Sequence, residues 1–145
     1  MVWLVEILLV AIGGATGATL RVLLTIAAAT NLRVPFWVGI MVVNILGCLL
    51  IGIAAAMLAL ADAADLPLVR WIGTVMPTNS AGVADAKLIL LTGLLGGFTT
   101  FSTAMLDTWV LWRSGHVVKS IISLVGTPIA AIAALAFGLA WGGGA

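Results

Sequence analysis

Residues Gly96-Gly97-Phe98-Thr99-Thr100-Phe101-Ser102-Thr103 place two adjacent glycines and four hydroxyl side chains in the middle of a charge-free stretch, Leu88 to Leu106. These are poor materials for a plain lipid-facing helix. Glycine weakens a helix by about 1 kcal/mol against alanine, and hydroxyls need partners that hydrocarbon cannot supply. The run makes sense if a membrane-crossing helix breaks at Gly96-Gly97 and turns its freed backbone groups toward a cavity, an ion or another subunit. Transport proteins build ion sites in this way.

Two further polar side chains lie inside apolar stretches. Arg21 follows Gly17-Ala18-Thr19-Leu20. A charge at that depth either snorkels to the interface or faces water or a partner, here as a charge lining an anion vestibule. Asn44, between Val42-Val43 and Ile45-Leu46, brings two N–H donors and a carbonyl acceptor. It suits either an interhelical hydrogen bond or an ion pathway. Phe98, Phe101 and Met105 fall on one stripe at helical spacing, with Thr99, Ser102 and Thr103 beside it.

Enzyme chemistry finds no foothold. The sequence has one histidine, His116, beside Gly115 in a connection, and no Gly-x-Ser-x-Gly element. The run Gly13-Gly14-Ala15-Thr16-Gly17 echoes a nucleotide loop. It lies in an apolar stretch without the strand and acidic residue such a site needs. Cys48 is the single cysteine, so no intrachain disulfide or cysteine metal cluster forms; it reads as a small apolar residue.

The elements that must position these residues are membrane helices. The chain is 63% hydrophobic and 8% charged over 145 residues, with mean hydropathy +1.32. A soluble domain carries about 25% charged residues. A net charge of +1 gives nucleic acid nothing to bind. Four apolar stretches approach or exceed the roughly 20 residues that cross a bilayer: about 2–29, 34–61, 88–112 and 120–141. The first, with Glu6 near its start and no basic leader, reads as a span and not a cleaved signal peptide. Short connections join the first pair and the last pair, and a long one, about 62–87, joins the middle pair. Trp3, Trp37, Trp109, Trp112 and Trp141 fall near span ends, where tryptophan anchors at the interface; Trp71 lies in the long connection. Within that connection, Leu68–Met76 reads as an interfacial segment or an extension of the third span.

Lys and Arg set orientation, and they are nearly balanced. Arg70 and Lys87 fall on one side, with Arg33, Arg113 and Lys119 on the other. The chain therefore inserts both ways up, or its orientation is weakly fixed with the short connections inside. Gly13 and Gly17, Gly14 and Ala18, and Gly93 and Gly97 recur at four-residue spacing, which lets helices approach closely. Four such thin helices cannot enclose a wide pore, so an obligate oligomer is expected. The fold class is all-α: a single transmembrane domain of four helices.

The runs Gly13-Gly14-Ala15-Thr16-Gly17-Ala18-Thr19-Leu20-Arg21, Val43-Asn44-Ile45-Leu46-Gly47 and Gly93-Leu94-Leu95-Gly96-Gly97-Phe98-Thr99-Thr100-Phe101-Ser102-Thr103 together resemble the CrcB/Fluc family of small fluoride channels. The order and spacing of the spans extend that resemblance over most of the chain. It implies an antiparallel dimer in the cell membrane that lets fluoride leave down its gradient through two narrow pores. It also implies a structural sodium ion at the dimer centre, on the backbone carbonyls of Gly96 and Thr99. Asn44 matches the pore asparagine, Phe101 a pore phenylalanine, Ser102 and Thr103 the hydroxyl track, and Arg21 the arginine near the pore entrance.

The chemistry suits these residue types. Fluoride holds its water tightly, and a pore must replace that water with donors that do not trap the ion. An amide, hydroxyls and the electropositive edge of a phenylalanine ring meet that need. Three features depart from the family pattern: Ala104 where a second phenylalanine is usual, Ile40 four residues before Asn44 where threonine is common, and the longer middle connection. The resemblance therefore leaves room for a homodimer or for pairing with an unlike family subunit. The rival readings are a small multidrug or cation-coupled transporter, which needs an acidic residue at membrane depth, and a non-conducting assembly subunit. Glu6 and Asp107 fall near span ends, which argues against the transporter.

Overall fold

The computed structural model describes residues 2–63 and 88–143. Residues 64–87 of the middle connection lie outside the described residues, with Arg70, Trp71, Lys87 and the Leu68–Met76 segment, as does the side chain of Trp3. Among the described residues every regular element is helical. In chain order these are α1 (Val2–Asn31), α2 (Phe36–Ala63), α3 (Leu88–Leu95), α4 (Gly96–Phe98), α5 (Phe101–Arg113), α6 (Val117–Ile121), α7 (Ile122–Gly126) and α8 (Thr127–Gly143). They make four membrane spans: α1, α2, the α3–α5 series over Ile89–Arg113, and the α6–α8 series over Val117–Gly143. The fourth begins three residues before the expected Ser120, so Lys119 sits in its first turn.

The α5–α6 corner follows from one glycine. Gly115 has φ +77°, a conformation glycine adopts without penalty. It lets Gly115 N–H reach the Trp112 carbonyl (3.0 Å) and His116 N–H reach the Leu111 carbonyl (2.9 Å). This paired closure satisfies the last carbonyls of α5 and reverses the chain within three residues. The α7 turns are π-type. Pro128 lacks the N–H that the Leu124 carbonyl would accept, and its ring crowds that carbonyl; a widened turn just before it accommodates both.

Two seams hold the spans together: α1 packs along α3 and α4, and α2 along α8. Both are glycine-built. In the first, a Cβ on Gly17 would run into the Leu94 carbonyl, and one on Gly97 into the Gly14 carbonyl. Gly93 in turn faces Gly13 Cα, 3.2 Å from where its own Cβ would be. In the second, a Cβ on Gly52 would lie 3.0 Å from Gly138 Cα, and one on Gly142 2.9 Å from Ala56 Cβ. With no hydrophobic drive between helices in lipid, backbone-to-backbone contact supplies the packing energy. The outer faces are apolar and exposed, as at Leu4, Ile12, Phe137 and Trp141.

Candidate functional site

The third span does break at mid-depth, but not where the glycines suggest. Gly96 and Gly97 are helical in α4. The chain becomes extended at Thr99 (φ −81°, ψ 154°) and Thr100 (φ −149°, ψ 127°), before α5 begins at Phe101. The expectation of a break at Gly96-Gly97 is therefore corrected to Thr99-Thr100. The glycines serve the α1 seam instead. The break also separates Phe98 from Phe101: Phe98 is buried, Phe101 is 73% exposed, and the expected Phe98–Phe101–Met105 stripe does not form.

The break is held from two sides. From α2, Asn44 Nδ2 donates to the Thr100 carbonyl at 2.9 Å, and Thr100 N–H donates to Asn44 Oδ1 at 2.7 Å. One amide thus satisfies both backbone groups of a residue that has left the helix. From α1, Arg21 Nη1 donates to the Thr99 carbonyl at 3.2 Å. Because Thr100 N–H is taken by Asn44, the Gly96 carbonyl loses the donor that a continuous helix would give it. Gly47, one turn beyond Asn44 on α2, makes room. A Cβ there would lie 2.5 Å from Thr99 Cγ2 and 3.0 Å from Phe98 Cδ1.

Below the break, α5 opens with a cap. Thr103 N–H donates to Thr100 Oγ1 at 3.3 Å. Thr103 Oγ1 and Ser102 Oγ lie 3.2 and 3.3 Å from the same oxygen. This is the N-cap arrangement that Ser and Thr favour. It leaves the positive end of the α5 dipole at the middle of the span.

Beside the break is a cavity of about 410 Å³. Asn44, Thr99, Thr100, Phe101, Ser123 and Thr127 line it, with Gly96, Cys48, Ala104, Met105, Pro128 and Ala131. Of the residues singled out from sequence, Asn44, Phe101, Gly96 and Thr99 thus come together. Ser102 and Thr103 turn to the cap, and Arg21 to the other side of the break. Ala104 and Ile40, the two departures that lie within the spans, are both buried.

Sequence reasoning missed a set of buried hydroxyls between the third and fourth spans. Ser120 Oγ donates to the Thr108 carbonyl at 2.9 Å, and Thr108 Oγ1 lies 2.9 Å from Ser123 Oγ. Thr127 Oγ1 is buried without a partner. The signal was present as Ser120, Ser123 and Thr127, spaced to share one helix face. Asp107, two turns below the break, has one carboxylate oxygen buried without a partner. Among the described residues no three His, Cys, Asp or Glu side chains cluster as a metal site would need.

Four apolar spans, one broken at mid-depth beside a cavity where the Asn44 amide and a few hydroxyls stand among apolar side chains, define an integral membrane protein of the transport class. The family model described as CrcB-like protein, Camphor Resistance (CrcB), matches residues 8–139, and the chain belongs to that family. It is 36% identical over 135 residues to the fluoride-specific ion channel FluC of Paracoccus denitrificans, covering 93% of this chain and 92% of that one. It is 35% identical to the protein of the same name from Nitrobacter winogradskyi, over 92% of this chain and 91% of that one. The Chloroflexus aurantiacus protein, also so named, is 32% identical over 94% of each chain.

Proposed function

We propose that this chain is a subunit of a passive fluoride channel of the cell membrane and not an enzyme. The observation that carries this reading is the mid-span break, where the positive end of α5 meets a cavity lined by the Asn44 amide, hydroxyls and Phe101. A desolvated anion is stabilised at a helix N-terminus. Asn44 has a second Nδ2–H beyond the one it gives Thr100, and Thr127 has a hydroxyl with no other partner. Phe101, highly exposed on one copy, offers a ring edge. None of these donors carries a formal charge, so the ion can leave as well as enter. The names of the relatives support the same reading.

The working form is an antiparallel dimer in lipid, a homodimer or a pair with an unlike family subunit. The near-balanced Lys and Arg of the connections favour opposed orientations, and the buried Ala104 and Ile40 are the reason to consider an unlike partner. A sodium ion at its centre fits the chain's backbone. The Gly96 carbonyl has lost its helical donor, and the Thr99 carbonyl keeps a second lone pair beside its bond to Arg21. Hard cations prefer such oxygen ligands. One chain offers two carbonyls, and a twofold partner doubles them. The ion would supply a fixed positive field near the anion route.

The deciding experiment is fluoride efflux from liposomes containing only this chain, read with a fluoride electrode and with no proton or sodium gradient imposed. Rapid fluoride release with chloride retained is the expected result. Efflux that needs an imposed proton gradient would favour a coupled transporter, with Asp107 as the group to replace. No efflux alone, but efflux with a second family subunit, would make the pair obligatory.

A further inference from the structure

We infer that Arg21 is a positioning residue of the broken helix, a brace on its carbonyl end, and not a charge that gathers anions at a pore mouth. The inference is independent of which ion passes, although one of its readouts uses the fluoride flux proposed above.

Arg21 sits well inside α1, about 15 Å along the axis from the Asn31 end at 1.5 Å per residue. It is half-buried, and its guanidinium Nη1 donates to the Thr99 carbonyl at 3.2 Å. Thr99 is the C-cap of the half-helix α3–α4. Its neighbours are carbonyls that no longer have a following turn, and the negative end of the helix dipole gathers there. Two half-helix ends therefore meet at the break with opposite polarity. The negative end is bound by a cation from α1. The positive end, at Phe101, is left open to the cavity. Arg21 offsets part of the negative field that this carbonyl end would otherwise set beside the open N-terminus.

The grip is also geometric. Thr99 and Thr100 are held from opposite sides, by Arg21 on α1 and Asn44 on α2. Thr25, one turn beyond Arg21, donates its hydroxyl to the Arg21 carbonyl at 2.8 Å and is almost fully buried. A Cβ on Gly39 of α2 would lie 3.2 Å from Thr25 Cγ2. The arginine thus stands on a part of α1 packed directly against α2, and the two grips share one frame. Lysine keeps the charge but loses the planar fork of donors.

The two roles respond differently to salt. A charge in a water-filled mouth is screened, with a Debye length of about 30 Å at 0.01 M falling to about 3 Å at 1 M. A half-buried brace at membrane depth is screened much less. The test compares the wild-type chain with Arg21→Gln and Arg21→Lys in liposomes at those two ionic strengths. It adds amide hydrogen exchange of the segment 95–103 on the same samples. Arg21→Gln should lose about tenfold or more of the fluoride flux at both ionic strengths, with faster exchange in 95–103. Arg21→Lys should fall between Gln and wild type in both readouts. A deficit confined to low salt, a lysine variant indistinguishable from wild type, or unchanged exchange would overturn the brace. If Arg21→Gln does not fold, the lysine variant carries the same comparison. A wild-type chain that passes no fluoride would sink the channel reading alone, because exchange still judges the brace.

Discussion

Asn44 and Thr100 are joined twice: the amide of one closes on both the N–H and the C=O of the other, at 2.7 and 2.9 Å. The second span thereby supplies what the third gives up when it leaves the helix. Replacing Asn44 with leucine removes both bonds and leaves two backbone groups unpaired near mid-depth. A loss of about 2 kcal/mol in stability and a collapse of fluoride flux are expected, with the elution volume in size-exclusion chromatography unchanged from wild type. Asn44→Asp is the sharper variant. It can accept from Thr100 N–H but, when ionised, cannot donate to the Thr100 carbonyl and sets a negative charge against it near mid-depth, so it should both conduct poorly and unfold at a lower temperature than wild type. Unchanged flux in both variants would remove Asn44 from the pathway.

Thr127 makes the opposite separation between stability and transport. Its hydroxyl is buried without a protein partner, so Thr127→Val removes an unmet polar group and should leave the melting temperature unchanged or raised. If that hydroxyl serves the ion, flux should nonetheless fall, by roughly tenfold for the loss of one such bond. Normal flux with a raised melting temperature would assign the hydroxyl to packing alone.

The glycine seams predict two unlike responses to alanine. At Gly17 the new methyl meets the backbone of Leu94, which has no rotamer to change. A cost of about 3 kcal/mol is expected, read as poor recovery of folded protein from detergent. At Gly115 nothing lies within 4 Å of the added atom. The only penalty is the left-handed backbone, about 1 kcal/mol, and Gly115→Ala should fold and conduct.

Removing sodium tests the centre. With potassium or a large organic cation in its place, a channel whose middle is organised by carbonyl-bound sodium should lose flux and thermal stability together, and recover both on readdition. Equal behaviour in all three cations would argue against the ion.

The spans were legible because length and apolar composition alone decide what crosses a bilayer. Arg21, Asn44 and the run from Gly96 to Thr103 stood out for the same reason, as polar or helix-weakening residues where lipid tolerates few. The position of the break was not legible. Glycine marks both weak helix and close helix contact, and here Gly97 serves contact while the backbone departs at Thr99 and Thr100. What fixes the departure is the Asn44 amide, 56 residues away in sequence, which no local pattern reveals. Ser102 and Thr103 were ambiguous for a related reason: a hydroxyl can cap a helix or line a path, and their contacts with Thr100 depend on its extended conformation. The Ser120, Ser123 and Thr127 face was readable in principle. It escaped notice because single hydroxyls in a long apolar stretch look like ordinary small residues until Thr108 is placed opposite them.

At its glycines the seam between α1 and α3–α4 is main chain against main chain, and this has a mechanical consequence. Side chains at an interface can change rotamer and let one helix slide over another. Where glycine meets main chain, as Gly17 meets Leu94 and Gly97 meets Gly14, there is no rotamer to change, so α1 and α3–α4 resist sliding as one stiff body. Arg21 belongs to that body, and the contact of Thr25 with Gly39 ties it to the helix that carries Asn44, so the two grips on the break move together. Conduction through such an assembly should show the shallow temperature dependence of diffusion, without the steep rise expected of a swinging gate.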